Sequence, residues 1–245
     1  MSKNRSTRSW SRLEHVLAVA ALAFFVAACG GAAREHSRLT TGVASGAAPL
    51  AQGPLARGRY VTSVFAAPSV MLDIRSSDWT SYGEDAEGFD LGHGPESAGT
   101  SVSLNMIHTV YARGPACGRS WGGSNIPRVE APADMVGWLR GHPCLRSLSG
   151  TRTVRIGGAT GVQWDAEVVH PPAPPPGGAC PSRCVALFQL GALDSPTFLY
   201  HPERERFIVL NVGGRAVTIL VSAPPRSAGA FFREAERVLH SMRFG

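Results

Sequence analysis

The sequence predicts an α+β domain, an antiparallel sheet of hairpins covered by a short helix and by a C-terminal amphipathic helix. Three observations carry that expectation. Apolar residues alternate with a period of two in several segments from Tyr60 onward, as half-buried strands require. A Gly213-Gly214 pair joins two apolar arms, Phe207 to Val212 and Ala216 to Val221, and Gly-Gly takes the positive φ angles of a two-residue turn. Near the end of the chain Phe231, Ala235, Val238 and Met242 recur at helical spacing, with Phe232 and Leu239 beside them.

The elements follow in order from the first residues. Lys3, Arg5, Arg8 and Arg12 form a positive segment, and an apolar run from Val16 to Val26 comes after it. That run suits a secretory signal and is too short for a bilayer core, which takes about 20 apolar residues. It closes in Val26-Ala27-Ala28-Cys29, which resembles the lipobox of bacterial lipoproteins. The resemblance implies a diacylglyceryl group on the Cys29 sulfur and cleavage that leaves Cys29 first in the mature chain. Each buried acyl methylene contributes about 0.8 kcal/mol, so two acyl chains hold stably where one holds only marginally. Residues 1–28 are therefore expected to be a signal peptide. Residues 29–58, rich in Gly, Ala, Ser and Thr, read as the lipidated cysteine and a flexible tether spanning about 30 Å. Residues 59–245 are expected to form a single globular domain.

Within that domain, Tyr60 to Phe65 and Val70 to Ile74 read as strands separated by Pro68. Val102 to Ile107 alternates, and Thr153 to Ile156 and Val162 to Val169 flank a turn at Gly157, Gly158 and Gly161. A short helix is expected from Ala133 to Arg140, opening after Pro132 and closing before Gly141 and Pro143. In the final helix Arg233, Glu234, Glu236, Arg237 and His240 lie off the apolar stripe, which is expected to pack on the sheet.

Charge and cysteine usage narrow the class further. The formal charge is +6, but four basic residues and Glu14 precede Cys29, which leaves a modest excess of +3 beyond it. No basic run with interleaved aromatics supports nucleic-acid binding. With Cys29 acylated, Cys117, Cys144, Cys180 and Cys184 remain, an even number in an exported domain where disulfides persist. Four cysteines allow three pairings. Cys180 with Cys184 is favoured because Pro181 helps to hold a tight loop, and it leaves Cys117 with Cys144. A zinc site would need a second close Cys or His pair, which the sequence lacks, so no metal is expected.

The Trp79 segment, the Ile156-Gly157-Gly158-Ala159-Thr160-Gly161 turn, the Gly213-Gly214 hairpin and a closing helix followed by Arg243-Phe244 come in a familiar order. That order resembles the PsbP-type α/β/α sandwich, and more closely uncharacterised lipoproteins of GC-rich bacteria with such a domain. The resemblance implies a non-catalytic binding, assembly or accessory role. The Cys117 and Cys180-to-Cys184 insertions and the Pro171-to-Pro176 loop depart from the general pattern of that fold.

Enzyme motifs are thin. Gly122-Gly123-Ser124-Asn125 lacks the closing glycine of a nucleophile elbow, and Gly157 to Gly161 lacks the spacing of a dinucleotide fingerprint. No cofactor is implied. Glu84, Asp85, Glu87 and Asp90, followed by His93, offer either a cation loop or an Asp90–His93 acid/base pair. Their spacing matches no calcium loop, and the flanking Gly83, Gly88, Gly92 and Gly94 suit an exposed turn, so a solvated loop is the preferred reading. His108, His142, His170 and His201 are scattered and read as surface or rim histidines. Trp79, Trp138 and Trp164 suit a core, whereas Trp121, in a Gly-rich loop, is the candidate partner contact.

The functional expectation is an extracytoplasmic lipoprotein, anchored to a bacterial cell membrane through diacylglyceryl-Cys29, that binds or organises an envelope protein or ligand without catalysis. A carrier for a small or lipidic ligand is the alternative and an unrecognised hydrolase comes third. A carrier needs an apolar pocket between sheet and helix, and a hydrolase needs convergent polar groups in a cleft.

Overall fold

The computed structural model describes residues 46–65, 69–112, 127–169, 171, 183–190 and 195–245. The first strands are β1 (Ala48–Pro49), β2 (Gly53–Leu55), β3 (Gly58–Val61) and β4 (Val70–Ile74). They are followed by β5 (Trp79–Glu84), β6 (Gly88–His93), β7 (Ser101–Asn105), β8 (Thr109–Tyr111) and β9 (Arg128–Glu130). Helix α1 (Met135–Arg140) precedes β10 (Leu145–Ser147), β11 (Arg152–Ile156) and β12 (Ala159–Val168). Then come β13 (Cys184–Leu190), β14 (Ser195–Tyr200), β15 (Arg204–Val212) and β16 (Arg215–Ala223). Helix α2 (Ala228–Ser241) and β17 (Arg243–Phe244) complete the described elements.

The α+β sandwich expected from the sequence does not form. Seventeen strands in three sheets face two α-helices among the described residues, so the fold is β-rich and lacks the layering of a PsbP-type α/β/α sandwich. The largest sheet runs β10-β12-β15-β16-β7-β6-β5-β2, with β11 also paired to β12. Its ladders are antiparallel. Two four-stranded sheets accompany it, β1-β3-β4-β17 and β14-β13-β8-β9. The reason for the discrepancy lies in β2, β5, β6 and β8, which are too short or too rich in Gly, Ser and Asp to read as strands, yet pair as strands beside longer ones.

The long strands behave as their patterns require. In the hairpin of β15 and β16, Gly213 and Gly214 have φ values of 58° and 85°, and Asn211 Oδ1 accepts a hydrogen bond from the Gly214 N–H at 2.9 Å. Alternation along these strands supplies two cores. Ile208, Leu210, Val217, Ile219 and Val221 join Val102, Leu104, Phe89 and Leu91 on one face, and α2 buries Phe231, Phe232, Ala235, Val238 and Leu239 in the same cluster. On the other face Phe207, Leu220, Trp164, Ala166 and Val168 pack with α1 and with Val185, Leu187 and Phe188 of β13. Trp79, Trp138 and Trp164 are core residues, as expected.

Several boundaries shift. Folded structure begins before Arg59, because β1 and β2 pair into sheets and Leu50 and Leu55 are buried. The expected strand from Tyr60 to Phe65 ends at Val61, where the chain turns over Glu84. Helix α1 starts two residues later than expected, with Asp134 Oδ1 accepting from the Gly137 N–H at 2.8 Å as its cap. No helix among the described residues is long and apolar enough to cross a membrane.

Candidate functional site

Strand β6 reads Gly88-Phe89-Asp90-Leu91-Gly92-His93, and its period of two decides what each face carries. Phe89, Leu91 and His93 face the α2 side, where His93 lies 4.8 Å from Trp79 and 5.7 Å from Phe231, ring centre to ring centre. Gly88, Asp90 and Gly92 face the other side. Asp90 and His93 are therefore on opposite faces of one strand and make no acid/base pair. The solvated-loop reading of this segment fails too: Glu84 accepts from the Ser63 and Val64 backbone N–H groups, Asp85 accepts from those of Glu87 and Gly88, and Asp90 is a strand residue with a buried oxygen.

That second face opens into a cleft of about 630 Å³. Tyr82, one of its lining residues, packs directly over Gly92, where a Cβ would collide with the ring. Asp85, Asp90, Glu96 and Glu203 contribute carboxyl groups, and Thr100, Ser101, Ser103, Thr197 and Ser222 contribute hydroxyls. Tyr82, Phe198 and Tyr200 supply aromatic wall, the last two with ring centres 6.4 Å apart. No basic side chain lines it among the described residues.

Burial sets the electrostatics. It raises the Asp90 carboxyl above its ordinary range, a hydrogen bond from Ser103 opposing and the Asp85 charge adding to the rise. Burial pushes Glu203 up to about 6, although the Tyr200 N–H donates to its Oε2 at 3.1 Å. Tyr200 is raised in turn, by burial and by Glu203. Behind the wall, Glu205 is fully buried and its carboxyl lies well above the ordinary range, again through burial. Its cross-strand neighbour Ser222 donates to Oε2 at 2.5 Å. Asp90 Oδ1, Thr197 Oγ1 and Glu205 Oε1 are buried without a hydrogen-bond partner. Buried polar atoms are nearly always paired, so the two on the cleft wall, Asp90 Oδ1 and Thr197 Oγ1, are a departure that calls for an explanation.

The sequence-derived candidates fare differently. Cys29, Cys117, Cys180 and Trp121 lie outside the described residues, as do residues 1–45, His170 and most of the proline-rich loop. Cys144 and Cys184 are buried. His142 is not a surface histidine: it is buried, stacks 5.4 Å from Trp138 and accepts the Cys144 N–H through Nδ1 at 3.2 Å. His201 Nδ1 lies 2.8 Å from the Val168 carbonyl oxygen. No group of three or more His, Cys, Asp or Glu placed to hold a metal occurs among the described residues. Glu203 and Glu205 went unrecognised in the sequence. Their signal is the alternation Glu203-Arg204-Glu205-Arg206 at the head of a strong strand, which points both glutamates away from the α2 side.

No family model matches the chain, and no curated protein does. A crystal structure from Bacteroides thetaiotaomicron VPI-5482 is similar over 72% of this chain and 45% of that one, at 12% identity and a TM-score of 0.34. The chain thus spans less than half of that structure's length, and a likeness at this level carries no argument about fold or function.

Proposed function

We propose that the protein is a membrane-anchored extracytoplasmic lipoprotein whose domain is a non-catalytic binding module, with the acidic cleft as its ligand site. The anchor rests on the Val26-Ala27-Ala28-Cys29 segment and the basic and apolar stretches before it. The observation that carries the binding reading is Asp90, a wall residue of the cleft with a buried oxygen that nothing in the protein satisfies. Folding gains nothing from such an atom, whereas a ligand that donates to it offsets its desolvation. A lipid carrier with its pocket between sheet and helix is disfavoured, because Phe231, Phe232, Val238 and Leu239 of α2 fill that space. Two disulfides among Cys117, Cys144, Cys180 and Cys184 belong to the same proposal. Their support is the signal-like N-terminal segment, the even count and the burial of Cys144 and Cys184.

One observation favours a hydrolase as the second reading. A Glu203 carboxyl near 6, in the same cleft as Asp90, suits general acid or base work at neutral pH. Two experiments decide among these. Fractionation of cells carrying Cys29→Ser is expected to show release from the membrane, and a variant held as firmly as the parent contradicts the anchor. Thermal-shift screening of the full chain against a library of small metabolites is expected to yield ligands whose stabilisation is lost in Asp90→Asn. A library without a single such ligand contradicts the cleft as a binding site, and turnover of a hit replaces the binding reading with the hydrolase.

A further inference from the structure

We propose that the cleft takes an organic ammonium ligand, its cationic nitrogen meeting the Asp90 and Glu203 carboxyls and its carbon skeleton lying against Phe198 and Tyr200. The inference rests on the reading of the cleft as a ligand site and adds the chemical class of what enters it. Three features of the wall select that class. Four carboxyl groups and no basic side chain among the described lining residues repel anions and leave a neutral ligand with nothing to offset the negative charge. The orphaned Asp90 Oδ1 is an acceptor when ionised, so the missing partner is a donor, and an ammonium nitrogen brings donors and positive charge together. Aromatic faces beside the carboxyls attract a cation in a way they do not attract a hydroxyl. A bare metal ion is the poorer fit, because the described residues hold no cluster of three carboxyl or imidazole ligands.

Binding of a cation is linked to ionisation. With the Glu203 carboxyl near 6, affinity rises as pH climbs through that value, and a ligand that binds below it displaces a proton. Calorimetric titration of the full chain with spermidine tests this, with cellobiose as the neutral comparison. The expected result is saturable binding of spermidine that weakens about tenfold from pH 7 to pH 5, as the ionised fraction of Glu203 falls. Asp90→Asn and Glu203→Gln are each expected to weaken it about tenfold, the loss of one charge-assisted contact, while their melts stay cooperative. Glu234→Gln, on α2 and away from the cleft, leaves binding unchanged if the site is specific. Equal weakening by Glu234→Gln means general charge attraction and overturns the proposal, as does an absence of spermidine binding. Cellobiose binding that Asp90→Asn abolishes, without spermidine binding, overturns the ligand class while leaving the cleft as the site.

Discussion

Glu205 and Arg206 are neighbours on β15 and point to opposite faces of the large sheet, where the protein treats their charges in opposite ways. Arg206 lies on the α2 side and is fully engaged. Its guanidinium donates to Asp165 at 2.7 and 3.0 Å and to Glu236 at 2.6 Å, and lies 4.6 Å from the centre of the Phe232 ring. Burial works against its charge, but those two carboxylates keep it protonated. Glu205 has one serine for company and an oxygen with no partner. A charge paired on every side stabilises a fold; a buried carboxyl left unpaired costs stability and is kept where something other than folding needs it. The surroundings of Arg206 therefore read as structural, whereas the cleft end of the opposite face, beyond its Phe207, Leu220 and Trp164 core, is the part we propose to be functional.

Substitutions sharpen that contrast. The largest effect is expected for Phe231→Ala, which empties a buried site beside Trp79 and His93 and should cost about 3–5 kcal/mol in a denaturant melt. Arg206→Ala should come next, at about 2–3 kcal/mol, because it strips charged hydrogen bonds from Asp165 and Glu236 together. A loss below half a kcal/mol at either position would erase the structural reading of the α2 side.

A smaller effect concerns pH. Because the folded Glu203 carboxyl sits near 6 and the unfolded one near its ordinary 4.5, the native state binds more protons between those values. Its contribution thus favours the fold below about 4.5 and is lost as pH rises through about 6. Melts of the parent and of Glu203→Gln across this window should show a shallower decline in the variant. Identical slopes would remove Glu203 from the account of the cleft.

How much of this was legible in the sequence depended on which face a residue served. The hairpin at Gly213-Gly214, strand β4 and the stripe of α2 could be read because a single apolar face repeats at the period of its element. Strand β6 could not. Its apolar face, Phe89, Leu91 and His93, alternates correctly, but the intervening Gly88, Asp90 and Gly92 imitate a turn. Asp90 is acidic where it lines the cleft, whereas Gly88 and Gly92 are small because the Leu104-Asn105 segment and the Tyr82 ring press on them, so the site and close packing together disguised the strand. The β-rich fold was missed because β2 and β8 are short and β5 is rich in polar residues, and Glu203 because only the three-dimensional path brings it to Ser103 and Asp90. The resemblance of Val26-Ala27-Ala28-Cys29 to a lipobox rests on local order alone and on no fold.

The most direct measurement is the melting temperature, at pH 7, of the double variant Asp90→Asn, Glu205→Gln against the parent. Both changes keep shape and remove an ionisable group from a buried place, so carboxyls held for a ligand predict a melting temperature equal to or above that of the parent. A fall as large as that of Phe231→Ala would mean that these groups hold the fold together, and would contradict the separation of a functional cleft from the structural surroundings of Arg206.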